Sequence, residues 1–506
     1  MSSVADFAAD VIVIGSGAGG AAAAWQLVRS GVRVLLLEKG ADLPRDGSTL
    51  DVDRVVRRGE FLAREPWIDG QGRTVIPEEH FNIGGKTRWY GAALLRFAAA
   101  EFAADPQFQC RGWPIGLEDL RPYYEAAEQL LGVRELAIEP DLRRIVDRVA
   151  RPGQPWRVAA MPMGLAPHIG EHREEAMHFD GFASVLGLKA DAQRSMLSML
   201  SGDERLRLVS NAEVTGLLSA PGNSRFIAGV KLDDGREFRA PRVVLAAGAL
   251  HSPRLLARYL KAADLDAKLA AAANIGRNLK LHILTAMVAF SPRKKTDLIR
   301  KTALLTHDRF AHSTVQPLGF DAELIATLMP GYLPRAVARG MAERAYGFFL
   351  QTEDGSDRDN AVYEQSTAGG LQRVLDYDAS RLQAAAQEHR LFTHALQRSL
   401  LGAGMLAITR RIGLAGTAHA CGSLVCGSDP ADSVVAADGR VHGMQGIYVA
   451  DGSILPRISR VNPALTIYAW ALRLGTLIAR DVTSERALSR LAIGARQGEL
   501  ASEWNA

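Results

Sequence analysis

The sequence predicts an α/β nucleotide-binding domain built on a Rossmann-like βαβ unit, discontinuous along the chain, with a second domain inserted into it. Three observations predict this. The chain opens on an apolar run, a glycine-rich turn, a helical stretch and a second apolar run. Short, wholly apolar runs of the kind found in parallel sheets recur in the middle and near the end. The 506 residues are also too many for one ordinary domain.

Apolar residues make up 47% and charged residues 23%, an ordinary globular composition. The formal charge of +4 is small for this length and the basic residues are scattered, which argues against nucleic-acid binding. Three cysteines, Cys110, Cys421 and Cys426, form no C-x-x-C pair, so a disulfide framework, a structural zinc and a c-type haem are all disfavoured and no metal is expected. Met1–Ala9 lacks the basic and apolar regions of a signal peptide. No apolar run reaches the roughly 20 residues of a spanning helix. A cytoplasmic protein without a transmembrane segment is expected.

In chain order, Asp10–Ile14 reads as a buried strand, Gly20–Ser30 as a helix and Val32–Leu37 as a second strand parallel to the first. Ala41–Gly72 is polar and irregular. Trp113–Val133 becomes an amphipathic helix with Tyr123, Tyr124, Ala127, Leu130 and Leu131 on its apolar side. Leu206–Leu218 and Phe226–Phe238 read as strands, with a turn at Asp234-Gly235. Arg242–Ala247 is another buried strand, and Tyr346–Leu350 and Ala361–Tyr363 are strands of a different sheet. Ser380–Ile412 carries a long helical pattern interrupted at Gly402 and Gly404. Gly446–Val449 is a last strand, and Asn462–Asp481 a strong helix.

The turn Gly15-Ser16-Gly17-Ala18-Gly19-Gly20 fits G-x-G-x-x-G. Gly15 permits the tight turn, Gly17 lets the backbone approach a pyrophosphate, and Gly20 lets helix and strand pack closely. The helix that follows offers free N–H groups and a partial positive charge to phosphates. Glu38 closes the second strand, where a carboxylate accepts hydrogen bonds from both ribose hydroxyls. The motif follows a strand and opens a helix, which is the context it needs. It does not by itself separate FAD from NAD, although its position at the start of a long chain favours FAD.

Four further stretches carry a resemblance. They are Ile83–Ala92 (IGGKTRWYGA), Gly112-Trp113-Pro114 with Asp119–Tyr124, Ala246–Pro253 with Ile275–Leu279, and His419–Ala471 with its Val449–Ser453 and Asn462–Thr466 segments. In order, and over nearly the whole chain, they resemble the glucose–methanol–choline (GMC) oxidoreductases, in a distant bacterial branch. The match is weakest from about 290 to 410, where the family builds its variable substrate domain. The resemblance implies an α/β FAD-binding domain over residues 1–109, 205–285 and 415–506. It implies an α+β substrate-binding domain with an antiparallel sheet over 110–204 and 286–414.

It implies a catalytic pair as well. His419 takes the hydroxyl proton while hydride passes to flavin N5, and Asn462 is its partner. Gly84, Gly85 and Thr87 match the loop over the flavin, Val214 the position that holds the adenine, and Asp451 and Gly452 the ribityl and pyrophosphate contacts. Ala18, Lys39, Tyr90, Gly91, Ala247, Gly248, Pro463 and Thr466 complete the expected cofactor contacts. Where some family members bond the flavin to a histidine, this chain has Trp89, which predicts non-covalent FAD. Lys86, Trp89 and Tyr90 depart from the commonest residues of that loop, and Val425-Cys426 replaces the usual Arg-Met.

The residue types at these positions are compatible with the same chemistry. A histidine near neutrality is the natural base for an alcohol. Asn462-Pro463 reads as an N-cap followed by the first helical residue, from which the asparagine side chain either caps the helix or reaches substrate. A helix starting there aims its positive end outward and, if that end faces the flavin, stabilises the negative charge that hydride transfer develops. His251, His282 and His442 read as structural, Cys421 and Cys426 as packed small residues, and Glu353 and Asp354 as either pocket-lining or a solvated turn. The expected function is FAD-dependent oxidation of an alcohol, with a lean towards a sugar, glycoside or polyol, and with O2, a quinone or a redox protein as electron acceptor. The alternative is a lyase on the same scaffold, such as a hydroxynitrile lyase or a decarboxylase.

Overall fold

The computed structural model describes residues 7–331, 333–416 and 419–503, with side chains described up to residue 488. The signal-peptide reading of Met1–Ala9 therefore lies largely outside the described residues.

Two sheets position the site. The first has five parallel strands in the order Ile447–Val449, Val243–Leu245, Val11–Ile14, Val34–Leu37 and Leu206–Val209. Every residue of the four inner and C-terminal strands is buried, as expected for a parallel sheet covered on both faces. Helix Ala18–Arg29 covers one face, with Ala21, Ala22, Ala23, Ala24, Leu27 and Val28 buried. Its approach is so close that a Cβ on Gly20 would overlap the Gly15 carbonyl oxygen, and one on Gly19 would overlap that of Ala450. The C-terminal helix Ala464–Glu503 packs along it.

The second sheet is antiparallel and six-stranded: Leu406–Arg411, Ile283–Phe290, Ala345–Thr352, Ser313–Pro317, Ala303–His307 and Trp156–Ala160. Strand periodicity sorts its two faces. Tyr346, Phe348 and Leu350 join Phe392, Leu396 and Leu400 of helix Gln383–Gly402 in one core. Phe349 and Gln351 point the other way, towards His419 and Arg460.

Several sequence expectations change. The helical pattern over Ser380–Ile412 ends at Gly402, and Leu406–Arg411 is an edge strand, because Gly404 takes a φ of 81° and turns the chain. Leu206–Leu218 is two strands, split at Asn211 with a φ of 51°. The polar stretch after Ala41 contributes the strand Trp67–Asp69, which pairs in parallel with Gly370–Asp376. The expected domain boundary at 285/286 falls within the strand Ile283–Phe290. The last helix begins at Ala464, two residues after the expected start at Asn462, and a bond from Ile467 N–H to the Pro463 carbonyl (3.0 Å) closes its first turn.

Candidate active site

The carboxyl ends of the parallel strands open into one long cleft of about 1710 Å³, open mouth included. Gly15 follows Val11–Ile14, Glu38 follows Val34–Leu37, Ala246–Gly248 follow Val243–Leu245, and Asp451 follows Ile447–Val449; all line the cleft. Open α/β sheets bind ligands at this edge.

At one end, Glu38 is 6% exposed. Ser16 donates to it from N–H (2.9 Å) and Oγ (2.6 Å), and Gly40 from N–H (2.9 Å). Burial nevertheless raises its pKa above the ordinary carboxylate value, outweighing these bonds. Ribose hydroxyls donating to this carboxylate would satisfy its remaining lone pairs. Lys39 and Val214 line the same end, with Lys39 bridging Glu65 and Glu213. The helix opening at Ala18 has Gly17 as its cap, no capping side chain and no acid in its first turn, so its N–H groups face the cleft unclaimed by side chains. The donor set fits FAD.

The loop that begins at Gly84-Gly85, the GG loop, crosses above this turn. A Cβ on Gly85 would come within 3.1 Å of Gly17 Cα. Gly85, Thr87, Tyr90 and Gly91 line the cleft, while Gly84 (φ 89°) stands behind it and donates its N–H to Ser16 Oγ (3.0 Å). Asp451 spends its carboxylate on Gly248 N–H (2.8 Å), Ser252 Oγ and Ser453 N–H (2.9 Å), and so shapes the backbone at Gly248 and Gly452 that faces the ligand. Ala247, Gly248, Gly452 and Pro463 line the cleft. Thr466 does not: its hydroxyl meets Tyr124 Oη (2.7 Å) on the far side of the helix, and its helical neighbours Ala464 and Ile467 face the ligand instead. Gly20 also lies off the cleft, in the helix–strand contact.

At the other end stand His419 and Asn462, forty-three positions apart in sequence, with Asn462 Nδ2 3.3 Å from His419 Nε2. Asn462 does not cap its helix; its Oδ1 accepts from Gln316 Nε2. His419 Nδ1 lies 3.1 Å from His282 Nδ1, and His282 Nε2 lies 2.7 Å from the Ser459 carbonyl oxygen. One edge of the His419 ring reaches the cleft, yet the ring is deep enough that burial lowers its pKa well below the ordinary imidazole value, and the positive charges of Lys301 and Lys86 push the same way. His419 is therefore neutral and able to accept a proton.

His282, read as structural, touches the candidate base directly. Nothing local in the sequence marks Gln316, in a strand, or Lys301, in a loop, as residues of the site. Glu353 and Asp354 line no part of the cleft. Both are fully buried, and Glu353 holds Arg457 Nε (2.8 Å) and Nη2 (2.6 Å). Trp89 turns away from the cleft, stacking on His80 (4.6 Å) and donating from Nε1 to Asn82 Oδ1 (2.9 Å). Cys421 and Cys426 are packed and fully buried; burial pushes the Cys426 thiol up to about 12 and Cys421 higher.

A glycine turn under a helix N-terminus, an acid at the end of the second strand and an imidazole–carboxamide pair at the far end define an FAD-dependent oxidoreductase. Residues 10–273 match the family model described as FAD dependent oxidoreductase, and residues 371–471 the one described as GMC oxidoreductase. The chain is 30% identical to 6'''-hydroxyparomomycin C oxidase of Streptomyces lividus, over 96% of this chain and 93% of that protein. It is 30% identical to paromamine 6'-oxidase of Streptomyces fradiae, over 94% and 92%. The fold matches pyridoxine 4-oxidase from Mesorbium loti with a TM-score of 0.64 at 18% identity, over 92% of this chain and 98% of that one. The chain belongs to the GMC oxidoreductase family, and its reaction is the FAD-dependent oxidation of a CH–OH group. Among the described residues no helix is long and apolar enough to cross a membrane.

Proposed function

We propose that this protein oxidises a hydroxyl-bearing carbon of a sugar, glycoside or polyol, with His419 as the base and Asn462 as the group that holds the hydroxyl. The observation that carries this reading is the 3.3 Å approach of Asn462 Nδ2 to His419 Nε2 at the wall of the cleft. A hydroxyl lying between them accepts from the asparagine amide and donates to the imidazole. As its O–H bond breaks, the proton moves to His419 Nε2. The electron pair of the carbinol C–H bond leaves with its hydrogen as hydride, and the carbon–oxygen bond becomes a carbonyl. FAD, held along the cleft, supplies the two-electron hydride acceptor. Gln316 holds the asparagine oxygen, so the amide presents its N–H side to the substrate.

Lys86 and Lys301 line the same cleft and their charges reach His419, which favours a hydroxyl-rich substrate over a long alkyl chain. The 30% relatives are named as oxidases of paromamine and hydroxyparomomycin C, which are the starting points for a substrate screen. The relatives' names lend the lyase alternative no support. FAD is held non-covalently, since Trp89 offers no nucleophile and faces away from the cleft. The three buried free thiols support a cytoplasmic setting. Acceptors are O2, a quinone or a redox protein.

The test is anaerobic. Amino sugars, glycosides and small alcohols are added in turn to the FAD-loaded protein, and the visible flavin band is followed. Bleaching by a hydroxylated substrate, restored by air or by a quinone, is the expected result. Substrate turnover with the band unchanged throughout would overturn the redox reading.

A further inference from the structure

Away from the cleft, the buried Cys110–His312–Glu353 group is already claimed by Arg457, and the exposed apolar residues of edge strand Leu406–Arg411 have nothing seated on them.

We infer that His282 is a positioning residue that fixes the tautomer of His419, so that the bare ring nitrogen of the base is the one facing substrate. This rests on the assignment of His419 as the base. The inference follows from donor and acceptor directions along one chain of atoms. The Ser459 carbonyl oxygen only accepts, so the His282 Nε2 lying 2.7 Å away carries the hydrogen. In a neutral imidazole, Nδ1 is then an acceptor. The 3.1 Å contact between the two Nδ1 atoms needs one hydrogen, and it has to sit on His419. Nε2 of His419 is left bare and accepts from Asn462 Nδ2 at 3.3 Å in the absence of substrate. From Gln316 through Asn462, His419 and His282 to Ser459, every donor meets an acceptor and no other assignment of neutral groups does so. Burial lowers the pKa of His282 as well, which keeps that ring neutral despite Asp354, Glu353 and Glu101 nearby. On His419, any charge on His282 and the charges of Lys301 and Lys86 all act against protonation.

The backbone is built around this contact. Lys280 and Cys421 exchange both N–H···O bonds (2.9 Å each) as an isolated antiparallel bridge. His282 lies two residues beyond the one and His419 two residues before the other, so the antiparallel register sets the two rings opposite each other. His282 (φ 63°) and Ser459 (φ 67°) are both non-glycine residues held in the left-handed region. Such strain persists only where the surroundings impose it, and it clusters at functional sites. Ser459 is clamped by Glu101, which accepts from its Oγ (2.5 Å), and by Glu353, which accepts from its N–H (3.2 Å). A base locked in the wrong tautomer offers the substrate a hydrogen where it needs a lone pair, which stops proton abstraction.

The test compares His282→Leu, which removes the acceptor, with His282→Asn, whose Oδ1 stands close to the place of Nδ1. Protein labelled with ¹⁵N-histidine and loaded with FAD is examined by NMR, with His419→Gln supplying the assignment. The wild type should show His419 as the Nδ1–H tautomer alone. His282→Leu should show a mixture, with flavin reduction slowed by about 10–100-fold at nearly unchanged KM, while His282→Asn stays within about threefold of wild type. A single Nδ1–H tautomer in His282→Leu, or equal losses in the two variants, would overturn the inference. If His419→Gln itself reduces flavin at the wild-type rate, the assignment of the base has failed instead, and the tautomer spectra still report on the His282 contact.

Discussion

Replacing His419 by alanine should slow flavin reduction by about 10²–10⁴-fold while leaving FAD bound, because a positioned general base contributes a factor of that size and the cofactor contacts lie elsewhere. The glycine turn, Glu38 and the GG loop hold the dinucleotide end of the cleft, and none of them depends on the imidazole. The wild-type pH profile should carry a matching signature. The neutral ring is the active form, and burial makes protonation harder, so base activity persists as pH falls below the ordinary imidazole value of about 6.5 and is lost only well below it. Single-turnover reduction measured between pH 5.5 and 8 should therefore be nearly flat in the wild type. A rate halved at about pH 6.5, or an alanine variant as fast as the wild type, would contradict the role given to His419.

Replacing Glu353 by glutamine should destabilise the protein by about 3–5 kcal/mol, the cost of leaving a buried charge without its partner. Burial on its own would raise the pKa of this carboxyl. The hydrogen bonds from Arg457 and His312 more than offset it and hold it at about 2. Both partners of the Arg457–Glu353 pair are almost wholly buried, and the guanidinium also donates to the Ala100 and Ala103 carbonyls. The loss should reach the active site, since the clamp on Ser459 and the segment leading to Asn462 hang on the same carboxylate. Chemical denaturation gives the stability change, and flavin reduction the functional one. Adding Arg457→Met to Glu353→Gln should recover part of the stability. A loss below about 1 kcal/mol in the single variant would contradict this account of the pair.

The dinucleotide end was legible because its signal is local. Gly15, Gly17, Gly20 and Glu38 sit within one βαβ unit, where chain order dictates spatial order, and the structure puts them where that unit requires. His419 and Asn462 were legible only through family resemblance; nothing in either residue's neighbourhood says that forty-three positions close to 3.3 Å. The role of His282 stayed hidden for the same reason in sharper form. It depends on an isolated antiparallel bridge between Lys280 and Cys421, and such a register leaves no periodic trace in a single sequence. Glu353 follows an apolar strand and reads as the start of a loop, yet its partner Arg457 lies 104 residues on, so its burial could not be inferred. The edge strand Leu406–Arg411 reads as helix in the sequence because a short run of mixed polarity fits both periods, and only its pairing with Ile283–Phe290 decides. The resemblance puts Thr466 at the cofactor, whereas in the structure its hydroxyl meets Tyr124 Oη away from the cleft.

The most direct measurement is a crystal structure of the FAD-loaded protein. The tricyclic ring should lie beneath the Gly85–Gly91 loop at the start of the Ala464 helix, with its N5 edge turned towards His419 Nε2 and the Asn462 amide. A ring bound elsewhere, or bound with those two side chains out of reach of N5, would contradict the account.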